Sequence, residues 1–185
     1  MPEGTAAWWP TRCLFESRDA GSGYRGYMPS WPEELYLITH AECDDSGGVS
    51  QREAGLSQRG KLQAQELGAW FATHEPRAVW SSPFRCARET ARIAIASSGS
   101  LAAVIVDERL ALGDPSQVLH DAGALVDALR ACAYERLALV SHRAVVIAIS
   151  SIIERLPITA LLSRDRRECA ISIYRRENGA IRHIA

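Results

Sequence analysis

The 185 residues carry few extremes, and what is scarce excludes several classes of function. Only five cysteines occur, Cys13, Cys43, Cys86, Cys132 and Cys169, odd in number and widely scattered. They form neither a disulfide framework nor a CxxC knuckle, so no metal is expected from spacing, and no cofactor fingerprint is present. No apolar run approaches the roughly 20 residues that span a bilayer. Neither sign of charge dominates: the net charge is -1, which gives no electrostatic case for nucleic acid or an anionic membrane surface. There is no basic start followed by an apolar core, so a secretory address is not expected. A reducing cytoplasm is the expected home. Repeats and low-complexity tracts are absent too.

What is present suits a globular protein. Apolar residues make up 47% and charged residues 23%, and one domain of this length buries a sizeable core without staples. Residues 1–33 stand apart, with Trp8, Trp9 and Trp31 among glycines and prolines and no periodic pattern. They read as an irregular arm, either a tail or a strap whose aromatics pack on the domain. From residue 34 to 185, short apolar runs alternate with helical patterns. LYLIT (35–39), AVW (78–80), AAVIV (102–106) and LALVS (137–141) read as strands. Helical spacing marks about 57–73, 83–96, 116–131 and 144–155. In the third of these, Val118, Leu119, Leu125, Val126 and Leu129 are expected on the buried face. CAISIY (169–174) and AIRHI (180–184) flank Glu177-Asn178-Gly179, and Asn-Gly between β-like runs is a strong hairpin signal. The alternation predicts a three-layer α/β/α sandwich, its sheet mostly parallel with an antiparallel edge made by the C-terminal hairpin.

Two of the strand-like runs end in histidine, at His40 and His142. Continuous apolar runs fit buried parallel strands, and reactive groups in such sheets gather beyond the strands' carboxyl ends. A third run ends in Ser81-Ser82-Pro83 and opens a helix. Three strand ends thus point at one site. One histidine at such a place is most often a cap or a packing residue; two in the same context argue for a pocket.

The ordered motifs resemble the histidine phosphatase superfamily, which includes the phosphoglycerate mutases, and are most similar to its short phosphohistidine-phosphatase-like branch. LYLITHAE stands where that family has strand–Arg-His-Gly (or Arg-His-Ala), with His40 at the nucleophile position. Leu56-Ser57-Gln58-Arg59-Gly60-Lys61-Leu62-Gln63-Ala64 matches its Leu-Thr-x-x-Gly-x-x-Gln-Ala stretch. Ser81-Ser82-Pro83-Phe84-Arg85-Cys86-Ala87-Arg88-Glu89-Thr90-Ala91 matches Ser-Ser-Pro-x-x-Arg-Ala-x-x-Thr-Ala. LALGDP (110–115) resembles a short-branch loop, and LALVSHRAVV the second-histidine strand with His142 in place. The resemblance implies that His40 would attack phosphorus and carry the phosphoryl group. His142 and two arginines would grip the phosphate oxygens, and a carboxyl group would protonate the leaving oxygen.

Both arginines are replaced: Thr39 precedes His40, and Cys86 stands in the Ser-Ser-Pro helix. Fixed cationic donors are the main catalyst for a transition state of spread negative charge, and guanidinium binds two oxygens at once. Losing one such donor costs about 2.7–4 kcal/mol. Two would cost roughly 5–8 kcal/mol if additive, or about four to six decades in rate. Arg143, directly after His142 at a helix N-terminus, is the candidate replacement. Arg85 lies about 100° round the helix from Cys86 and is expected to point elsewhere. Leu112 occupies the mutase-type acid position; Asp114, or else Glu108, could serve instead, although a loop carboxylate is as readily a helix cap. Thr39, Ser81, Arg85, Cys86 and Arg143 are therefore the expected substrate-binding residues, and His40, His142 and Asp114 the catalytic ones. Three readings follow. One is a repurposed enzyme acting on a small molecule through the two histidines, with Cys86 available as a thiolate nucleophile or, as a minor variant, as a zinc ligand together with His40 and His142. Another is a working phosphatase or phosphotransferase with Arg143 in the clamp. The third is a non-catalytic binding or regulatory protein. The expected partner is a small-molecule substrate, phosphorylated or not; oligomeric state is left open.

Overall fold

A computed structural model describes residues 31–44, 46, 48–164 and 167–185. The chain runs β1 (Glu34–Thr39), α1 (Gln58–His74), β2 (Ala78–Ser81), α2 (Arg85–Ser98), β3 (Ala103–Val106), a single 3-10 turn (Glu108–Leu110), α3 (Pro115–Leu129), β4 (Arg136–Ser141), α4 (Arg143–Glu154), α5 (Ile158–Leu161), β5 (Ile171–Glu177) and β6 (Ala180–His183). The six strands form one sheet in the order β3-β2-β4-β1-β5-β6. β3, β2, β4 and β1 are parallel, while β5 pairs antiparallel with β1, and β6 with β5. This is the expected α/β architecture.

The strand sequences explain the layering. Side chains alternate across a sheet, and in β1 both sets are apolar. Leu35 and Leu37 join Leu137 and Leu139 of β4 against α3 and α4, packing on Leu125, Val126, Val145 and Ile149. Tyr36 and Ile38 join Ala138 and Val140 against α1 and α2, packing on Leu67, Phe71, Ala87, Ala91 and Ala94. All of these are buried, each large aliphatic side chain contributing about 1.5–3 kcal/mol. Leu119, expected on the buried face of α3, is instead exposed. The core takes the stripe of Val118, Ala122, Leu125, Val126 and Leu129, and Leu119 lies one residue, about 100°, off it.

Helix ends follow local chemistry. Ser57 caps α1, accepting from the Gly60 amide at 2.9 Å. Asp114 caps α3 ahead of Pro115, where a proline's fixed φ and missing N–H suit the first turn. The β5–β6 turn holds Asn178 and Gly179 at φ 52° and 79°, the left-handed pair that a tight hairpin requires. Of the arm, residues 1–30 with Trp8 and Trp9 lie outside the described residues. Trp31 packs on the α3–α4 side of the core; its carbonyl accepts from Arg176 at 2.8 Å, and the Arg130 guanidinium sits 5.6 Å from its ring centre. Among the described residues, no helix is long and apolar enough to cross a membrane.

Candidate functional site

Register places the two histidines together. β1 and β4 are parallel neighbours with Thr39 opposite Ser141, so the next residue of each strand emerges at the same level. The His40 amide donates to the Ser141 carbonyl at 2.8 Å. The rings meet edge to face, with centroids 4.7 Å apart. Phe84, which begins α2, packs edge-on against His142 from the other side at 4.6 Å. The α2 entrance is tied in by Thr90: its hydroxyl donates to the Cys86 carbonyl at 2.7 Å and accepts from the Ala41 amide at 3.0 Å.

The rings open onto a cavity of about 210 Å³ lined by His40, Glu42, Cys43, Gln51, Ala54, Cys86, His142 and Glu168. His40 Nδ1 lies 2.8 Å from the Ala41 carbonyl, a contact that fixes the proton on that nitrogen and leaves Nε2 with a free lone pair. Cys43 Sγ stands 3.5 Å from the same Nδ1. Donor atoms of His40, Cys43 and Cys86 all lie within 4.8 Å of one another, a set able to hold a metal ion. His142 is 4% exposed, and its Nε2 is buried with no hydrogen-bond partner among the described residues.

The charges follow from these surroundings. Burial, then the charge of His40, pushes His142 down from 6.5 to about 4, so it is neutral at physiological pH. For His40, burial opposes the charged form, but the Cys43 thiol, the Ala41 carbonyl and the Glu168 carboxylate together raise its pKa. Cys43 donates toward Cys86, which lowers the Cys86 thiol against the opposing effect of burial and raises that of Cys43. Glu42 is held by the Ser57 hydroxyl at 2.6 Å and by Arg59 at 3.0 Å.

Of the residues expected in the site, His40, His142 and Cys86 share the cavity; the others do not line it. Thr39 lies across a different wall, where its hydroxyl donates to the Arg167 carbonyl at 3.1 Å and accepts from the Ala170 amide at 2.9 Å. Arg143, the candidate clamp, is turned away: it donates to the Leu162 carbonyl at 2.6 Å and lines a separate recess with Thr39 and Arg164. Its position explains this: His142 is the extended N-cap and Arg143 the first residue of α4, so the two side chains leave the backbone in different directions. Arg85 pairs with Glu89 at 2.7 Å on the exposed face of α2. Ser81 is buried and donates to the Ser82 carbonyl at 3.0 Å. Asp114 is an exposed cap whose Oδ1 accepts from the amides of Ser116 and Gln117 at 3.0 and 3.1 Å. Cys43, Glu42, Gln51, Ala54 and Glu168 were not foreseen. Cys43 is set by an isolated bridge to Leu56, which nothing in the local sequence announces, although its spacing three residues after His40 hinted at a shared turn. Arg52, near the rim, sits 5.6 Å over the Phe84 ring and 3.6 Å from Glu108.

Comparison with known proteins agrees with this fold. Residues 35–111 match the model of the histidine phosphatase superfamily (branch 1). No curated protein matches the chain. Among solved structures, a proposed phosphohistidine phosphatase SixA from Agrobacterium tumefaciens is 19% identical with a TM-score of 0.65, covering 84% of this chain and 97% of its own. A mycobacterial glucosyl-3-phosphoglycerate phosphatase is 19% identical with a TM-score of 0.67, covering 82% and 97%. A protein histidine phosphatase SixA solved with tungstate is 16% identical with a TM-score of 0.63, covering 82% and 94%. The chain therefore has the fold of these phosphatases and resembles the histidine phosphatase superfamily over the segment that carries His40 and Cys86.

Proposed function

We propose that this chain is a divergent histidine phosphatase superfamily protein, repurposed to act on a small molecule through His40 and His142, with ordinary phosphomonoesterase activity impaired. One observation carries the reading: among the described residues, no lysine or arginine lines the cavity that holds both imidazoles. Glu42 and Glu168 line it instead, and His142, held neutral, adds no charge. A phosphoryl group in flight needs fixed positive donors, and this lining offers thiols, imidazoles and carboxylates. Those groups suit proton transfer, thiol chemistry or cation binding.

Hydrolysis of an aryl phosphate by the wild type and by His40→Ala tests the reading. The two rates are expected to coincide, and Cys86→Arg, which puts a guanidinium on the cavity wall, is expected to raise turnover by about 10²–10³-fold. Brisk wild-type turnover that vanishes in His40→Ala would overturn it. The contrary reading, phosphotransfer through His40, draws support from the Ala41 contact that leaves Nε2 free. It also has the N-terminus of α4 beside His142, a place favourable to anions.

A further inference from the structure

We propose that His40, Cys43 and Cys86 form a binding site for a thiophilic divalent metal ion of the zinc class, open on its fourth side to the cavity. The inference rests on the reading of a pocket withdrawn from phosphate chemistry and names the ligand class that the altered lining takes. Its three donors come from two segments: the loop after β1, which carries His40 and Cys43 and is bridged to Leu56, and the first turn of α2. None is a surface side chain of convenience. Cys86 is 1% exposed, within an apolar cluster of Ala41, Leu56, Ala64 and Phe84 against which Cys43 also packs.

Distances fit the ion. Zinc takes sulfur at about 2.3 Å and imidazole nitrogen at about 2.0–2.1 Å in a tetrahedron. Those lengths set neighbouring sulfur and nitrogen ligands about 3.6 Å apart, and two sulfurs about 3.8 Å apart. The observed Cys43 Sγ to His40 Nδ1 separation is 3.5 Å, and all three donor atoms fall within 4.8 Å. Closing on a metal therefore needs modest shifts of the sulfurs and the exchange of the His40–Ala41 hydrogen bond for a metal–nitrogen bond.

Charge and softness fit as well. Two thiolates neutralise a divalent ion, so the site does not bury a net charge in its apolar surroundings. Thiolate and imidazole select zinc over magnesium or calcium, which take oxygen. On binding, two S–H bonds break and two metal–sulfur bonds form, with two protons released to solvent. His40 gives its Nδ1 lone pair to the metal while its one proton moves to Nε2. That nitrogen then has no lone pair for attack on phosphorus. The cavity that the three donors line offers room for an exchangeable fourth ligand. Three protein ligands with one open position is the arrangement of catalytic rather than structural zinc.

The test uses the full chain, reduced and stripped with chelator, then titrated with zinc against a chromophoric chelator and separately with cobalt(II). The expected result is one ion per chain and a near-ultraviolet thiolate-to-cobalt charge-transfer band. Zinc should protect Cys43 and Cys86 from alkylation but not Cys132. Cys43→Ser and Cys86→Ser should each weaken binding by more than the roughly 10–100-fold that loss of an outer-shell partner costs, while Cys132→Ser leaves it unchanged. The cobalt spectrum of the wild type needs no variant to fold. Failure to take up the ion, uptake without the charge-transfer band, or uptake indifferent to both cysteine changes overturns the site. Aryl phosphate turnover by the metal-free protein is assayed in parallel. If it is absent while zinc also fails to bind, the metal site alone falls; if it is present and depends on His40, the functional reading falls.

Discussion

His40 and His142 differ although their rings touch. His142 is enclosed by Phe84 and His40 and has no hydrogen-bond partner for its Nε2 among the described residues, so burial first, and its neighbour's charge second, keep it neutral. His40 has partners that favour its charge, in the Cys43 thiol, the Ala41 carbonyl and Glu168. The pair therefore takes up its first proton on His40. The sign of the effect on stability follows. For His142 the pKa falls from 6.5 unfolded to about 4 folded. Its contribution is complete above about pH 6.5 and is lost as pH falls toward 4, a change of up to roughly 3 kcal/mol at about 1.36 kcal/mol per unit. For His40 the pKa is raised, so its contribution is complete below 6.5 and is lost only as pH rises through the folded value. The limb between pH 6.5 and 4 therefore belongs to His142 among the histidines of the pair. Denaturant unfolding across that interval should show the loss, and His142→Phe should flatten it; an unchanged limb in that variant contradicts the assignment.

At the scale of elements, the site depends on how closely α1 approaches the loop after β1. Gly60 sits in the first turn of α1, where an added Cβ would stand 2.1 Å from the Glu42 carbonyl oxygen. Backbone cannot swing away as a side chain can, and that loop carries His40 and Cys43. Gly60→Ala should therefore cost about 1–3 kcal/mol or more and shift the His40 imidazole resonances. Gly123, inside α3 with nothing within 4 Å of an added Cβ, is the contrast. Its change to alanine should stabilise by about 0.4–1 kcal/mol. Denaturant midpoints of the two variants check this, and equal effects would contradict it. The Gly60 position also shows why the Leu-Ser-x-x-Gly stretch is legible in sequence: Ser57 caps the helix and Gly60 allows the close approach, so both residue types are set by local chemistry.

Across the whole molecule, long periodic segments were readable, whereas the site's rim was not. β1 and β4 were evident because strands buried on both faces become continuous apolar runs, and parallel pairing then brings His40 beside His142. The turn at Asn178-Gly179 followed from backbone preference alone. The four-residue α5 and the 3-10 turn at Glu108–Leu110 escaped because so few residues carry no period. Cys43 and Glu168 reach the cavity only through tertiary placement. Arg143 and Asp114 lie outside the cavity because local helix-end geometry, rather than proximity in sequence to a motif, decides where they point. The result is a phosphatase fold whose histidine pocket is lined by thiols, imidazoles and carboxylates.

The most direct measurement of the proposed loss of phosphate chemistry is oxyanion binding. Imidazole resonances of His40 and His142 followed through a titration with inorganic phosphate, and then with tungstate, read the pocket itself. The account predicts no saturable shift of either ring up to millimolar anion, and saturation only after Cys86→Arg adds a guanidinium to the cavity wall. Saturable micromolar binding to the unaltered protein, moving both rings together, would contradict it.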